Sequence, residues 1–220
     1  MKTPIALVPA FILCAVIVTA GCSILEEPAV VTPAPTVVVT TLAATPSATP
    51  VVSSREPSAM ALQLADLPKG YIVRERADIP YSDASDFARE QGWQKGYQAS
   101  FYRMDADNYD VTSITQRIGV YYISNINLVD STMQMVFDEA EDDLLALAND
   151  TVTVTELPFP EIGSDSTAYR ISEADNAYGI TRYVVIFTKS DVFEAIEMKG
   201  TTTDFEELKR ITAEAARKIP

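Results

Sequence analysis

Between Glu26 and Ser58 the chain reads EEPAVVTPAPTVVVTTLAATPSATPVVSSREPS, with six prolines and six threonines. No helical period survives in such a stretch, and each proline removes a backbone donor that strand pairing needs. It therefore divides the 220-residue chain into an apolar N-terminal segment and a C-terminal part that must build its own core. The stretch reads as a disordered tether. Extended as polyproline II, at about 3.1 Å per residue, it would reach roughly 100 Å. Its serines and threonines among prolines are acceptors for O-linked sugars, which stiffen such stalks. Val37-Val38-Val39 is apolar enough to pair with a free sheet edge, but the composition argues for the tether.

The segment before the tether carries Lys2, and then no charged side chain from Thr3 to Leu25. Three readings are open: a cleaved export signal with a lipid attachment point, an uncleaved membrane helix, and plain secretion. The length alone would span a bilayer with some tilt. The residues before Cys22 favour the first reading. Val18-Thr19-Ala20-Gly21-Cys22 ends in small residues, as export signals do before the cut. It resembles the lipobox of prokaryotic lipoproteins, in which the cysteine becomes the lipidated first residue. On this reading residues 1–21 are a signal peptide, Cys22 is the lipidation site, 22–58 is the linker and 59–220 is one folded domain. Lipid on Cys22 or a retained N-terminal helix gives the same outcome: the domain is held at the extracytoplasmic face of the cell membrane.

Composition excludes several chemistries. There is no histidine, so His-dependent triads, Cys–His pairs and HExxH zinc sites are impossible. Both cysteines, Cys14 and Cys22, precede the tether, so no disulfide can staple the domain. The net charge is −14, and a field of that sign opposes nucleic-acid binding. No dinucleotide fingerprint, phosphate loop or nucleophile elbow occurs. No catalytic residue, cofactor or metal is expected.

Residues 59–220 are long enough to bury a core unaided. Residues 61–67 read as a short helix stopped by Pro68, and 71–77 as a strand. Ser82 is placed to cap a helix over 83–91. In 92–103 the alternation sets Trp93, Tyr97, Ala99 and Phe101 on one face, with Gln94, Gln98 and Ser100 on the other. The return strand, 111–123, puts Ile114, Ile118, Val120 and Tyr122 opposite Thr115 and Arg117. A long helix follows over 128–148, with Val129, Met133, Val136, Phe137, Ala140, Leu144 and Leu147 at spacings of three and four. Strands follow at 151–157, 167–173, 180–188 and 192–198. The third of these is apolar on both faces, which marks a central strand covered twice. Thr203 and Glu206 have the spacing of a capping box for the last helix. The order is helix, strand, helix, two strands, helix, four strands, helix. It predicts an α+β fold: a mostly antiparallel sheet with helices packed on it.

Four segments carry a resemblance: LQLADLPKGY, ELPFPEIGSDSTAYR, RYVVIFTKSDVFEAIEM and DFEELKRITAEAARKI. Together they resemble a group of prokaryotic surface proteins that includes LpqN-type lipoproteins and the extracellular sensor domains of bacterial serine/threonine kinases. Lipoproteins of methanogens look closer still. The resemblance spans residues 61–219 and implies a PsbP-like α/β sandwich in the envelope. It carries over no catalytic residue, and the disulfides of some sensor domains have no counterpart here.

The candidate ligand-lining residues are the aromatics Trp93, Tyr97, Phe101 and Tyr122, with Tyr121 beside them; the competing reading makes them core. Asn149-Asp150-Thr151 is an N-glycosylation sequon. Asp105, Asp107, Asn108 and Asp110 have a loose calcium-loop spacing. They lack its glycine and its terminal glutamate, so they read as a solvated hairpin turn. Glu139, Glu141, Asp142 and Asp143 read as the wet face of the long helix. The function expected is a non-catalytic binding or sensing module for an envelope ligand or a surface protein. The alternatives are a surface adaptor without a small-molecule ligand and, third, a carboxylate-dependent hydrolase.

Overall fold

The computed structural model describes residues 55–105 and 110–220, apart from the side chain of Asp105. The apolar N-terminal segment, Cys22, the tether up to Ser54 and the turn 106–109 lie outside the described residues. The elements are α1 (Pro57–Met60), β1 (Ile72–Ile79), α2 (Asp86–Glu90), β2 (Trp93–Asp105), β3 (Asp110–Tyr121), α3 (Val129–Leu145), β4 (Val152–Leu157), β5 (Asp165–Glu173), β6 (Thr181–Lys189), β7 (Val192–Gly200) and α4 (Phe205–Lys218). The seven strands form one sheet in the order β1-β2-β3-β7-β6-β5-β4. Every neighbouring pair is antiparallel. Two meanders, β1–β3 and β4–β7, meet where β7 pairs with β3, and α3 is the connection between them. The expected α+β architecture is the observed one.

Helices cover both faces. On one side, the α1 segment and α4 pack on Phe101, Ile114, Ile118, Phe187, Ile196 and Met198. The buried face of α4 consists of Leu208, Ile211, Thr212 and Ala215, as the spacing predicts. On the other side, α3 lays Phe137 over Ile171, Val184 and Ile186. It also brings Met133 and Val136 against Trp93 and Tyr121. Strand β6 is covered twice, as its sequence predicts: Val185 and Phe187 face α4 while Val184 and Ile186 face α3.

Three local expectations shift. Residues 61–67 hold no α-helix, only the 3-10 turn Leu64–Asp66 ahead of Pro68. The helix is the earlier turn Pro57–Met60, with proline in its first turn, and Ala61 and Leu62 run extended and fully buried. The backbone N–H of Leu62 donates to the Gln116 side chain at 2.7 Å, so a partner on the sheet replaces the helical one. Residues 55–58, assigned to the linker by composition, thus pack on the domain, with Pro57 buried. Helix α2 is capped by Ser85, whose hydroxyl accepts from Ala88 N at 3.0 Å; Ser82 lies in a 3-10 turn. Helix α4 is capped by Asp204, which accepts from Glu206 N and Glu207 N, one residue after Thr203.

A larger correction concerns Trp93. In β2, Trp93 pairs with Tyr121 but Lys95 pairs with Val120, so Gln94 is an extra residue. Such a bulge exchanges the faces of all residues before it. Trp93 therefore joins the α3-side core with Tyr121, while Tyr97, Ala99 and Phe101 belong to the α4 side. The indole occupies a slot made by the cross-strand pair Gly96 and Gly119. A Cβ on Gly96 would lie 2.8 Å from indole Cζ2 and 2.9 Å from the Ile118 carbonyl oxygen. Gly96→Ala is expected to destabilise the domain by about 1–3 kcal/mol through overpacking. Urea unfolding read by Trp93 fluorescence checks this; an unchanged midpoint would mean that the ring moves aside at no cost.

Candidate functional site

Helix α3 covers less than its whole face of the sheet. Beyond Trp93 and Tyr121, strands β1, β2 and β3 face it with polar side chains, and a groove of about 630 Å³ opens between sheet and helix. That volume suits a small-molecule ligand. Alternation along β2 and β3 supplies the polar floor: Gln98 pairs with Arg117 and Ser100 with Thr115. Side-chain bonds hold these groups in place. Arg117 Nε donates to Gln98 Oε1 at 3.1 Å, and Gln98 Nε2 donates to Glu75 Oε2 at 3.4 Å. The Ser100 and Thr115 hydroxyls lie 3.4 Å apart.

The far side of the groove is apolar below and charged above. Val184, Ile186, Phe193 and Ala195 line its depth, and Ala140, Leu144 and Leu147 form the wall supplied by α3 and the turn after it. Above them Arg182 pairs with Glu197, through Nε and Nη2, at 2.6 Å. Arg74, Arg117 and Arg182 stand against Glu75, Asp143 and Glu197 in the lining. The groove is therefore balanced in charge within a chain of net charge −14. The wall is pinned by Tyr169 of β5, whose hydroxyl donates to Glu141 of α3. Burial, then that hydrogen bond, pushes the Tyr169 phenol up to about 12, so it stays a donor at neutral pH. Glu141 is thus engaged with the sheet, whereas Glu139, Asp142 and Asp143 are exposed as expected.

A second concavity, about 570 Å³, lies between residues 65–68 and α4. Its charges are largely paired already: Lys218 with Asp66 at 2.7 Å, Arg217 with Glu214 at 3.0 Å, and Glu207 with the Tyr71 hydroxyl at 3.1 Å. Among the described residues no group of three cysteine, aspartate or glutamate side chains gathers to hold a metal ion.

The four aromatics singled out by sequence are not brought together. Phe101 is fully buried on the α4 side, and Tyr97 is half-buried there beneath the Arg76 guanidinium, 6.0 Å from the ring centre. Trp93 lies across the sheet and is 7% exposed; exposed Tyr81 packs against it with the rings tilted and their centres 5.7 Å apart. Tyr122 is half-buried just past β3, its N–H bonded to the Gly92 carbonyl at 2.6 Å. The groove is built instead from the polar positions of the same two strands. The signal was the matched polar register of Gln98 and Ser100 with Arg117 and Thr115.

Sequence reasoning also missed a buried polar pair on the opposite face. Glu194 and Gln116 are both fully buried. Gln116 Nε2 donates to Glu194 Oε1 at 2.6 Å, while Glu194 Oε2 has no partner. Burial pushes the carboxyl up to about 8, against a smaller opposing effect of the Gln116 bond. The signal was legible: in β7 a glutamate occupies the same period as Val192, Ile196 and Met198.

Asn149 is exposed after α3. Its Oδ1 accepts from Thr151 N, Thr151 Oγ1 and Val152 N at 2.8, 2.8 and 3.0 Å. If the chain passes a glycosylating machinery, Asn149 is expected to carry a glycan, and Thr151→Ala to remove it. Peptide mass spectrometry of the native protein reads this directly.

No family model matches the chain, and no curated protein matches it either. The fold does recur among solved structures. The extracellular domain of PknH from Mycobacterium tuberculosis superposes with a TM-score of 0.54 over 78% of this chain and 97% of that one, at 13% sequence identity. At that identity the likeness concerns the fold. Among the described residues no helix is long and apolar enough to cross a membrane.

Proposed function

We propose that this is a non-catalytic binding or sensing module at the extracytoplasmic face of the membrane, and that its ligand sits in the groove between α3 and the sheet. The observation that carries the reading is the groove itself: a hydrogen-bonded polar floor of Gln98, Ser100, Thr115 and Arg117 facing the aliphatic wall of Leu144 and Leu147. A preformed cleft with ordered donors and acceptors on one side and apolar surface on the other is how small-ligand sites are built. The charge balance suits a ligand of little net charge that offers both donors and acceptors. Two features support the envelope location: the lipobox-like run to Cys22 with its tether, and a fold similar to that of a kinase's extracellular domain. Lipid on Cys22 would supply the anchor.

The adaptor reading also has an observation of its own. Ile72, Met104 and Val111 are 48%, 60% and 43% exposed on β1, β2 and β3, and β1 is a sheet edge with one side unpaired. Free edges and apolar patches are places where partners add.

Native mass spectrometry of the protein taken from its own membranes separates the two. The expected spectrum holds a small-molecule mass that Arg117→Ala loses while the melting temperature stays within about 2 °C, since the substitution is exposed. A protein partner lost on Ile72→Asp, with no small molecule in either spectrum, would replace the ligand reading by the adaptor one.

A further inference from the structure

The chain enters the domain through a strap, residues 55–62, and what fastens that strap is unusual. Its outer end is held by ion pairs: Arg55 with Asp191 at 3.2 Å, and Glu56 with Lys95. Its inner end, Met60-Ala61-Leu62, is buried against the sheet and α4. There the Leu62 N–H is satisfied by a side chain, Gln116 Oε1, at 2.7 Å. The same amide turns its Nε2 to Glu194 Oε1 at 2.6 Å. The chain of bonds therefore runs from the strap to β3 to β7, and every link is buried.

The orientation of the Gln116 amide decides whether Leu62 finds an acceptor. Glu194 fixes that orientation by accepting from Nε2. A neutral carboxyl does so with an unpartnered second oxygen; an ionised one would be a bare charge in the core, which is costly. From β1, Arg76 is turned to the strap, its Nη2 bonded to Leu62 O and its Nη1 to Gln63 Oε1, while its buried Nε has no partner. On the buried face of α4 the polar residue is Thr212, whose hydroxyl is bonded to Leu208 O at 2.9 Å. From β6, Phe187 stands opposite Glu194 in register, and from β3, Ile118 does. No cation pairs with Glu194 among the described residues. The neighbours of the latch on each strand point the other way: Thr115 and Arg117 flank Gln116, Phe193 and Ala195 flank Glu194, and all four line the groove.

We propose that Gln116 and Glu194 form a proton-gated latch that holds the strap on the reverse side of the groove floor. With the strap closed, burial raises the Glu194 carboxyl to about 8; opening the strap admits water to the buried pair and lowers it toward the ordinary carboxylate range. The sign follows from this difference. The closed strap is most stable below the ordinary carboxylate range, loses stability as pH rises through the interval to about 8, and levels off above it. Over that interval the population of open straps rises by up to about tenfold per pH unit.

Hydrogen exchange of the Leu62 amide, corrected for the intrinsic pH dependence of exchange, tests this on the full chain. In the natural protein, protection of Leu62 should fall at least tenfold and up to about 100-fold between pH 5.5 and 7.5, while Leu62 exchanges faster than the central β6 amide of Val185 throughout. Glu194→Gln keeps the acceptor and cannot ionise, so its Leu62 protection should not depend on pH. Gln116→Leu removes the acceptor, so Leu62 should be unprotected at every pH. The proposal is overturned if Leu62 and Val185 exchange at one common rate, for then the strap opens only with the whole domain. It is equally overturned if Glu194→Gln keeps the slope of the natural protein, or if Gln116→Leu leaves Leu62 protected.

Discussion

The pairing of β3 with β7 is the constraint on which the rest depends. Each meander is a local product of short turns, whereas this pairing joins residues 112–120 to residues 192–200 across the whole of α3 and three strands. Its register decides which side chains of two central strands face which helix. Val192, Ile196 and Met198 go to the α4 side, and Phe193 and Ala195 go to the α3 side. A slip of one residue would reverse every one of them. It would also carry Glu194 out of the core and break its bond to Gln116, so the buried polar pair and the apolar pattern specify the same register.

The helices then divide the labour between two faces. On one side α4 and the strap close over an apolar surface interrupted by the buried Gln116–Glu194 pair. On the other, α3 runs from Trp93 and Tyr121 toward Ile171, and its apolar residues follow that path. The upper part of β1, β2 and β3 is left to its own polar side chains. The groove is the consequence of a helix that covers part of a face, with strands that turn polar where the helix is missing. The same β3 and β7 residues that hold the strap on one face thus alternate with those that line the groove on the other.

Much of this was readable from the chain. The seven strands and the long helices follow from periodicity, and the double coverage of β6 from its continuous apolar run. The failures share one cause. Trp93 sits in phase with Phe101 when the strand is read as regular, and a single extra residue at Gln94 puts them on opposite sides. Leu62 looks helical by its neighbours, and a side chain 54 residues away supplies the partner that keeps it extended. Ser82 and Thr203 look like caps, and Ser85 and Asp204 do the work because the preceding turns end later.

The sequence by itself determined the α+β class, the absence of histidine and disulfide chemistry from the domain, and the helix faces that bury. These depend on composition and on periods of two and 3.6, which are local. The tertiary structure alone decided which polar residues share a groove, which aromatics are core, and that Glu194 lies in an apolar interior rather than in water. Each of these depends on a cross-strand register or a distant hydrogen-bond partner, and no local pattern encodes the position of a residue on another strand.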